Sequence, residues 1–538
     1  MRRSNARTVN PNIEKDKDMD LQFRSPRPGF RSPNSKHSNP TTKFWFYTSI
    51  SIALILFCYI LFFGNNNKEN KKYGVVIDGG STGTRIHVFK YEIKNGNLVL
   101  DFSDKGLVSM RVNPGLSSYV EEPESAGAAL GELVEFAKRN VPKEKWGDTE
   151  VRLMATAGMR LLKSEDQERI LNACRRTLGD SGFRFHDDWA TVISGSDEGL
   201  YAWVVANYAL GSLGAEPAQT TGIIELGGAS AQVTFVSDEP MPPEFSRKVE
   251  FGNISYNLYS HSLLQFGQSV AFELLRESLL SGGQEMAPGS LQMDPCTPRG
   301  YNHDQEALNL SPTLLIEKNR YLSTLLPSGN FSECRSASLK LLKKGQDTCS
   351  YRTCNIGSTF IPKLTGKFLA TENFFHTSKF FGLGQEAFLS DLTMAGEQFC
   401  AEEWPKLKRK YHSSKDEELH GYCFSSAYIV ALLHDSLGIA LDDQRIGYAN
   451  EVGNIPLDWA LGAFILQSAA ESKKQHSKFI VGTVSEGHQS SPLIILCAIF
   501  LVFVFASWIV SKWRTPPLKT IYDLEKGKYI VTRVGRYL

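Results

Sequence analysis

Two short stretches of this chain hold the residue types from which a phosphate site is built. The first is Asp78-Gly79-Gly80-Ser81-Thr82-Gly83-Thr84-Arg85, preceded by the apolar run Val75-Val76-Ile77. The second is Glu225-Leu226-Gly227-Gly228-Ala229-Ser230-Ala231-Gln232, preceded by Ile223-Ile224. In each, an acid ends an apolar strand, a Gly-Gly bend with small or hydroxyl residues follows, and an outgoing strand begins. Such a bend exposes backbone N–H groups and hydroxyls that can cradle phosphate oxygens, and the adjoining carboxylate can hold a divalent cation against them. A single Gly-Gly bend is an ordinary hairpin turn. Two of one design, far apart in the chain, point to duplicated lobes that each lend a loop to a shared cleft. Neither GxxxxGK-Ser/Thr nor GxGxxG occurs, which sets aside the P-loop and dinucleotide-binding solutions.

Two further blocks lie between the bends. Val151-Arg152-Leu153-Met154-Ala155-Thr156-Ala157-Gly158 reads as a buried strand running into a small-residue turn and a helix. Thr156 at that strand end either turns its hydroxyl into a cleft or satisfies a backbone group. Ile193-Ser194-Gly195-Ser196-Asp197-Glu198-Gly199-Leu200 reads as a strand end followed by a helix with Leu200, Trp203 and Val204 on one face. Asp197 and Glu198 fall in its first turn, where acids complement the helix dipole.

The elements that must position these residues need more than one core, since 538 residues exceed an ordinary single domain. A formal charge of +1 excludes the strongly basic footprint of a nucleic-acid binder. Residues 1–43, rich in Pro, Ser and Arg, have little to bury and read as a disordered tail. Phe44 to Phe63 and Leu493 to Val510 are free of charge and long enough to span a bilayer as helices. Both flanking tails, 1–43 and 511–538, are Lys/Arg-rich. The expected arrangement is therefore two-pass, with both termini cytoplasmic and 64–492 lumenal or extracellular, in a Golgi, vesicle or plasma membrane. Cysteine usage agrees with an oxidising compartment: of seven cysteines outside the spans, six cluster after residue 290. Spacing leaves their connectivity open, and the odd count leaves one thiol free, expected at Cys174. Asn253, Asn309 and Asn330 begin Asn-X-Ser sequons and are candidate glycosylation sites.

Taken in order, Asp78–Arg85, Met154–Leu162, Ser194–Tyr208, Glu225–Gln232 and Trp459-Ala460-Leu461-Gly462-Ala463 resemble the apyrase (nucleoside triphosphate diphosphohydrolase) family, in the membrane-bound form found among plant apyrases. The resemblance covers roughly 73–480. It implies an α/β fold of two actin-like, ribonuclease-H-type lobes around a nucleotide cleft, flanked by the two transmembrane helices. The first lobe would comprise 73–194 plus 455–482, and the second 195–454. It implies hydrolysis of nucleoside tri- and diphosphates to the monophosphate and phosphate, with Ca²⁺ or Mg²⁺ held by Asp78 and Glu225 through water. Glu198 would activate the attacking water, with Ser230 and Gln232 orienting it and Thr156 beside them. Gly79, Gly80, Ser81, Thr82, Gly83, Thr84 and Arg85 would face one set of phosphate oxygens, and Gly227, Gly228, Ala229 and Ser230 another. Phe375 and Tyr422 would stack the base. Arg85 and Arg160 would brace the loops by pairing with carboxylates. Family disulfides imply Cys349–Cys354, Cys400–Cys423 and Cys296–Cys334. The chain departs from the family pattern in having Glu225 for aspartate, Ala231 for threonine and Asp197 for glutamate. Loss of the threonine hydroxyl is expected to remove a hydrogen bond near the phosphates. A lumenal diphosphatase acting on UDP or GDP, and a nucleotide-binding receptor or chaperone-like protein with little turnover, are the competing readings.

Overall fold

The computed structural model describes residues 71–469, apart from 95–96, 104–105, 282–291, 303–324, 353 and 413, together with 518–533 apart from 524 and a few positions between 49 and 53. Both expected membrane spans, the N-terminal tail and Asn309 therefore lie essentially outside the described residues. Among the described residues, no helix is long and apolar enough to cross a membrane.

Each glycine bend does become a hairpin, and each hairpin is the centre of a sheet. The first joins β1 (Lys72–Gly79) to β2 (Thr84–Lys94), with Asp78 opposite Arg85. Strands β3 (Asn97–Leu100) and β4 (Leu107–Val112) pair with the far edge of β2. The near-continuous apolar strand β5 (Glu150–Ala155) runs parallel to β1, and β6 (Ala190–Val192) runs parallel to β5. The second hairpin joins β7 (Gly222–Leu226) to β8 (Ser230–Val236), with Glu225 opposite Gln232. Strands β9 (Ser246–Phe251) and β10 (Ile254–Leu264) extend the β8 side. The short pair β11 (Gln292–Asp294) and β12 (Leu325–Pro327) stands apart as its own small sheet. Strands β13 (Phe368–Glu372) and β14 (Ile446–Tyr448) lie parallel on the β7 side. The two large sheets thus repeat one plan: a hairpin, antiparallel strands beyond its outgoing arm, and two parallel strands beyond its incoming arm.

Packing follows from this plan. One apolar layer covers the outer face of the first sheet, where helices Pro123–Asn140 and Ser164–Gly179 lie against Val75, Ile77, Ile86 and Leu153. Another packs the second sheet against helices that include Phe331–Leu342, Leu389–Ala401 and Tyr422–Val430. The third lies between the sheets and joins Val76, Phe89 and Met154 of one to Ile223, Tyr256 and Leu258 of the other. Its centre is the helix Gly195–Ala209, buried nearly all round, with Trp203 wholly inaccessible. The returning helix at 459–469 enters the same layer and sets Phe464 against Phe89 and Tyr91, with ring centroids 4.8 and 5.2 Å apart. Burial of such rings fixes the returning helix to the first sheet.

Cys296–Cys334, Cys349–Cys354 and Cys400–Cys423 are disulfide-bonded, and Cys174 is a free buried thiol whose pKa burial pushes up to about 12. In the C-terminal tail, Leu518–Asp523 and Lys528–Arg533 pair as an antiparallel hairpin with Tyr522 and Tyr529 edge to face. Gly527, with a φ of 61°, ends the turn between them.

Candidate active site

The two bends meet. A Cβ placed on Gly228 would lie 2.8 Å from Ser81 Oγ and 3.0 Å from Thr82 Cγ2, so a side chain there would have to displace those two tips. Between them is a cleft of about 110 Å³ lined by Asp78, Gly80–Gly83, Arg85, Thr156, Glu198, Glu225, Gly227–Ser230 and Gln232. Arg111, Glu372, Asp458 and Trp459 complete its wall.

Glu198 reaches this cleft because of how its helix is seated. Ser194 caps the helix, its hydroxyl accepting from the Asp197 N–H at 3.1 Å and donating to the Asp197 carboxylate at 2.6 Å. Asp197 thus holds the capping serine in place from the first turn. Gly199 lies on β8, where a Cβ would come within 2.5 Å of Thr234 Oγ1, and this close approach carries Glu198 to the cleft edge. Arg160, at the end of the short helix Ala157–Arg160, donates to Glu198 Oε2 at 2.8 Å, to Ser230 Oγ at 3.3 Å and to the Ile193 carbonyl at 3.1 Å. Gln232 donates to Ser230 Oγ at 2.6 Å and to Ser262 Oγ at 3.1 Å. Burial raises the Glu198 pKa, and the Arg160 guanidinium pulls it back. The result is a carboxylate held in a fixed direction with its charge supported from one side.

Two of the remaining acids have less support. Asp78 and Glu225 are both held well above the usual carboxylate range, first by burial and then by neighbouring carboxylates that include Asp458 and Glu198. Asp78 Oδ1 and Glu225 Oε2 are sealed from solvent with no hydrogen-bond partner among the described residues. Glu372 is raised by burial and by Asp458, against relief from Arg85 and Arg111. Unpaired buried carboxylates are costly unless a cation neutralises them. Among the described residues, no three His, Cys, Asp or Glu side chains converge as direct metal ligands. Asp78 and Glu225 are thus residues that could hold a divalent cation.

With that geometry in place, comparison with known proteins is decisive: a family model for GDA1/CD39 (nucleoside phosphatase) matches residues 65–480. The chain belongs to the GDA1/CD39 family. Probable apyrase 6 of Arabidopsis thaliana is 54% identical over 99% of this chain and 100% of its own length. Ectonucleoside triphosphate diphosphohydrolase 1 of Mus musculus is 29% identical over 77% of this chain and 84% of its own. Among solved structures, nucleoside triphosphate hydrolases from Neospora caninum align with a TM-score of 0.57 at 17% identity, over 80% of this chain and 97% of that one. That likeness establishes the shared mixed α/β, two-sheet fold.

Within this GDA1/CD39 frame several expected positions fall elsewhere. Ala231 does not face the phosphates. Strand alternation puts Ser230 and Gln232 on the cleft side, and Ala231 packs into the second sheet's core with Leu226 and Val233. A threonine hydroxyl there would enter an apolar layer, so its absence removes no cleft hydrogen bond. Gly79 and Thr84 are cross-strand partners closing the first hairpin, buried and absent from the cleft wall. Thr156 lines the cleft, yet its hydroxyl donates to the Gly79 carbonyl at 3.4 Å, the backbone role open to it. Phe375 and Tyr422 do not form a sandwich in the neighbouring groove of about 820 Å³, because Phe375 is absent from its lining. Tyr422 instead stacks flat on Phe380 with centroids 3.5 Å apart, which leaves no room for a base between those two rings. This groove abuts the cleft, since Ser269 lines it and lies 3.6 Å from the Gly228 Cβ position.

Arg85 pairs with Asp458 at 3.3 Å, and Arg160 with Glu198, so both arginines brace carboxylates as expected. Asp458, Glu372, Arg111 and Ser262 escaped sequence reasoning. Asp458 alone carried a signal, as the acid just before Trp459-Ala460-Leu461-Gly462. Asn253 is exposed at the β9–β10 turn, and the Asn330 side chain accepts from the Glu333 N–H as the cap of helix Phe331–Leu342.

Proposed function

We propose that the protein hydrolyses the terminal phosphoanhydride bond of nucleoside tri- and diphosphates, down to the monophosphate. The single observation that carries this reading is the meeting of two phosphate-binding bends around a cleft into which one arginine-supported glutamate projects.

In this mechanism the amides and hydroxyls of Gly80–Gly83 and of Gly227–Ser230 bind phosphate oxygens from opposite walls. Ser230 and Gln232 hold a water in line with the terminal phosphorus, and Glu198 accepts its proton as the water attacks. Arg160 keeps Glu198 ionised and oriented while the proton moves. Ca²⁺ or Mg²⁺, held through water by Asp78 and Glu225, supplies charge neutralisation for the phosphates when bound. The 820 Å³ groove receives the nucleoside, with Tyr422 and Phe272 offering aromatic surface that tolerates every base. Spans at 44–63 and 493–510 anchor the chain with this cleft on the lumenal or extracellular side.

The test is phosphate release by the full-length chain from ATP, ADP, UDP and GDP, wild type beside Glu198→Gln, with calcium, magnesium or chelator. Cation-dependent release that the substitution abolishes is the expected result. Equal release by both proteins, or none from any nucleotide, overturns the proposal.

A further inference from the structure

Antiparallel pairing sets Asp78 opposite Arg85, and Arg85 in turn opposite Arg111 on β4, so the three side chains form one row across β1, β2 and β4. All three line the cleft. Two guanidinium groups directly opposite one another repel, and nothing in the sheet requires the second. Arg85 spends its charge on Asp458, and Arg160 spends its own on Glu198. Arg111 has only neutral hydrogen-bond partners among the described residues: it donates from Nη2 to Thr82 Oγ1 at 2.8 Å and from Nε to Asn113 Oδ1 at 3.1 Å. Those two bonds lay the fork against the first glycine bend and leave Nη1 and further N–H donors unused. A positive charge, felt also by Glu372, is thus fixed beside the first glycine bend.

We infer that Arg111 is a phosphate-binding residue, taking oxygens of the bound polyphosphate with the free side of its guanidinium. This rests on reading the cleft as a polyphosphate site, and it adds a residue that neither the glycine bends nor the acids reveal. Planar, charge-assisted contacts of this kind are suited to phosphate and poorly copied by lysine. Because the contact is made to phosphate, it serves nucleotides and bare polyphosphate alike.

The experiment compares full-length wild type with Arg111→Met and Arg111→Lys on ADP, ATP and inorganic tripolyphosphate, with magnesium. Loss of one charge-assisted contact predicts a KM raised about 10- to 100-fold in Arg111→Met for all three, with kcat changed less than about threefold. Arg111→Lys recovers part of the loss. Orthophosphate inhibition weakens in parallel, which a residue that merely braces the loop would not produce. An unchanged KM, or a fall in kcat alone, overturns the inference. Should Arg111→Met show a lowered thermal midpoint, Arg111→Lys decides by the same criteria. If the wild type releases no phosphate, the proposed function fails separately. Binding of an imido-linked triphosphate analogue then decides for Arg111: about tenfold weaker in Arg111→Met supports it, and equal affinity refutes it.

Discussion

Replacing Glu225 by glutamine is expected to stabilise the metal-free protein while removing its response to divalent cations. The side chain is 4% exposed, one oxygen is unpartnered, and Glu198, Glu372, Asp458 and Asp78 all add negative potential. Leaving one buried polar group unsatisfied costs about 1–3 kcal/mol, and a charged one more. At about 2–4 °C per kcal/mol for a domain of roughly 200 residues, relief of the charge raises the thermal midpoint by something on the order of 5 °C in chelator. A cation at 100 times its dissociation constant adds about 2.7 kcal/mol to the wild type, and less to Glu225→Gln, so the order of the two midpoints reverses. The pH dependence has a definite sign. The folded-state pKa of Glu225 is raised, so the folded chain binds more protons than the unfolded chain above the ordinary value of 4.5. Its contribution to stability is therefore greatest at low pH and falls as pH rises toward the folded-state pKa, the reverse of a salt-bridged carboxylate. Thermal melts of the detergent-solubilised chain across pH, with chelator and with calcium, measure all three effects. A Glu225→Gln midpoint below the wild type in chelator, or equal cation shifts in both proteins, refutes the reasoning.

Other substitutions test the remaining links. Glu198→Gln is expected to lower kcat roughly 10²–10⁴-fold with little change in KM, since it removes a general base and leaves the phosphate bends intact. In the wild type, kcat/KM falls as pH drops through the raised Glu198 pKa, and initial-rate profiles locate that limb. Ala231→Thr buries a hydroxyl in the second sheet's core, which predicts a loss of about 1–3 kcal/mol in denaturant melts and no gain in rate. The disulfide closing 23 residues, Cys400–Cys423, contributes about 3 kcal/mol by loop entropy, against about 2 kcal/mol for the five-residue Cys349–Cys354 loop. Serine substitutions compared by thermal melts should keep that order.

What the sequence made legible was local. An acid, two glycines and hydroxyls in a row imply a bend with exposed amides whatever the rest of the fold, and both bends are present. The duplication of the two lobes was readable for the same reason, because each hairpin carries its own flanking strands. Asp458 and Arg85 are 373 positions apart, and no periodicity links them. Arg111 stands in an exposed edge strand that reads as solvated surface until pairing with β2 brings it beside Arg85. Ala231 was legible in principle, since Ser230 and Gln232 on one face of a strand require residue 231 on the other. The aromatic groove was hardest to read, because which of Phe374, Phe375, Phe380 and Tyr422 meet depends on how helices Asn373–Phe380 and Tyr422–Val430 cross.

The contact of Gly228 with Ser81 and Thr82 has a kinetic consequence. The cleft left between these bends, about 110 Å³, is small beside the 820 Å³ groove that it abuts. A side chain at residue 228 is expected to wedge the two bends apart, weakening their joint hold on a phosphate and easing its exchange.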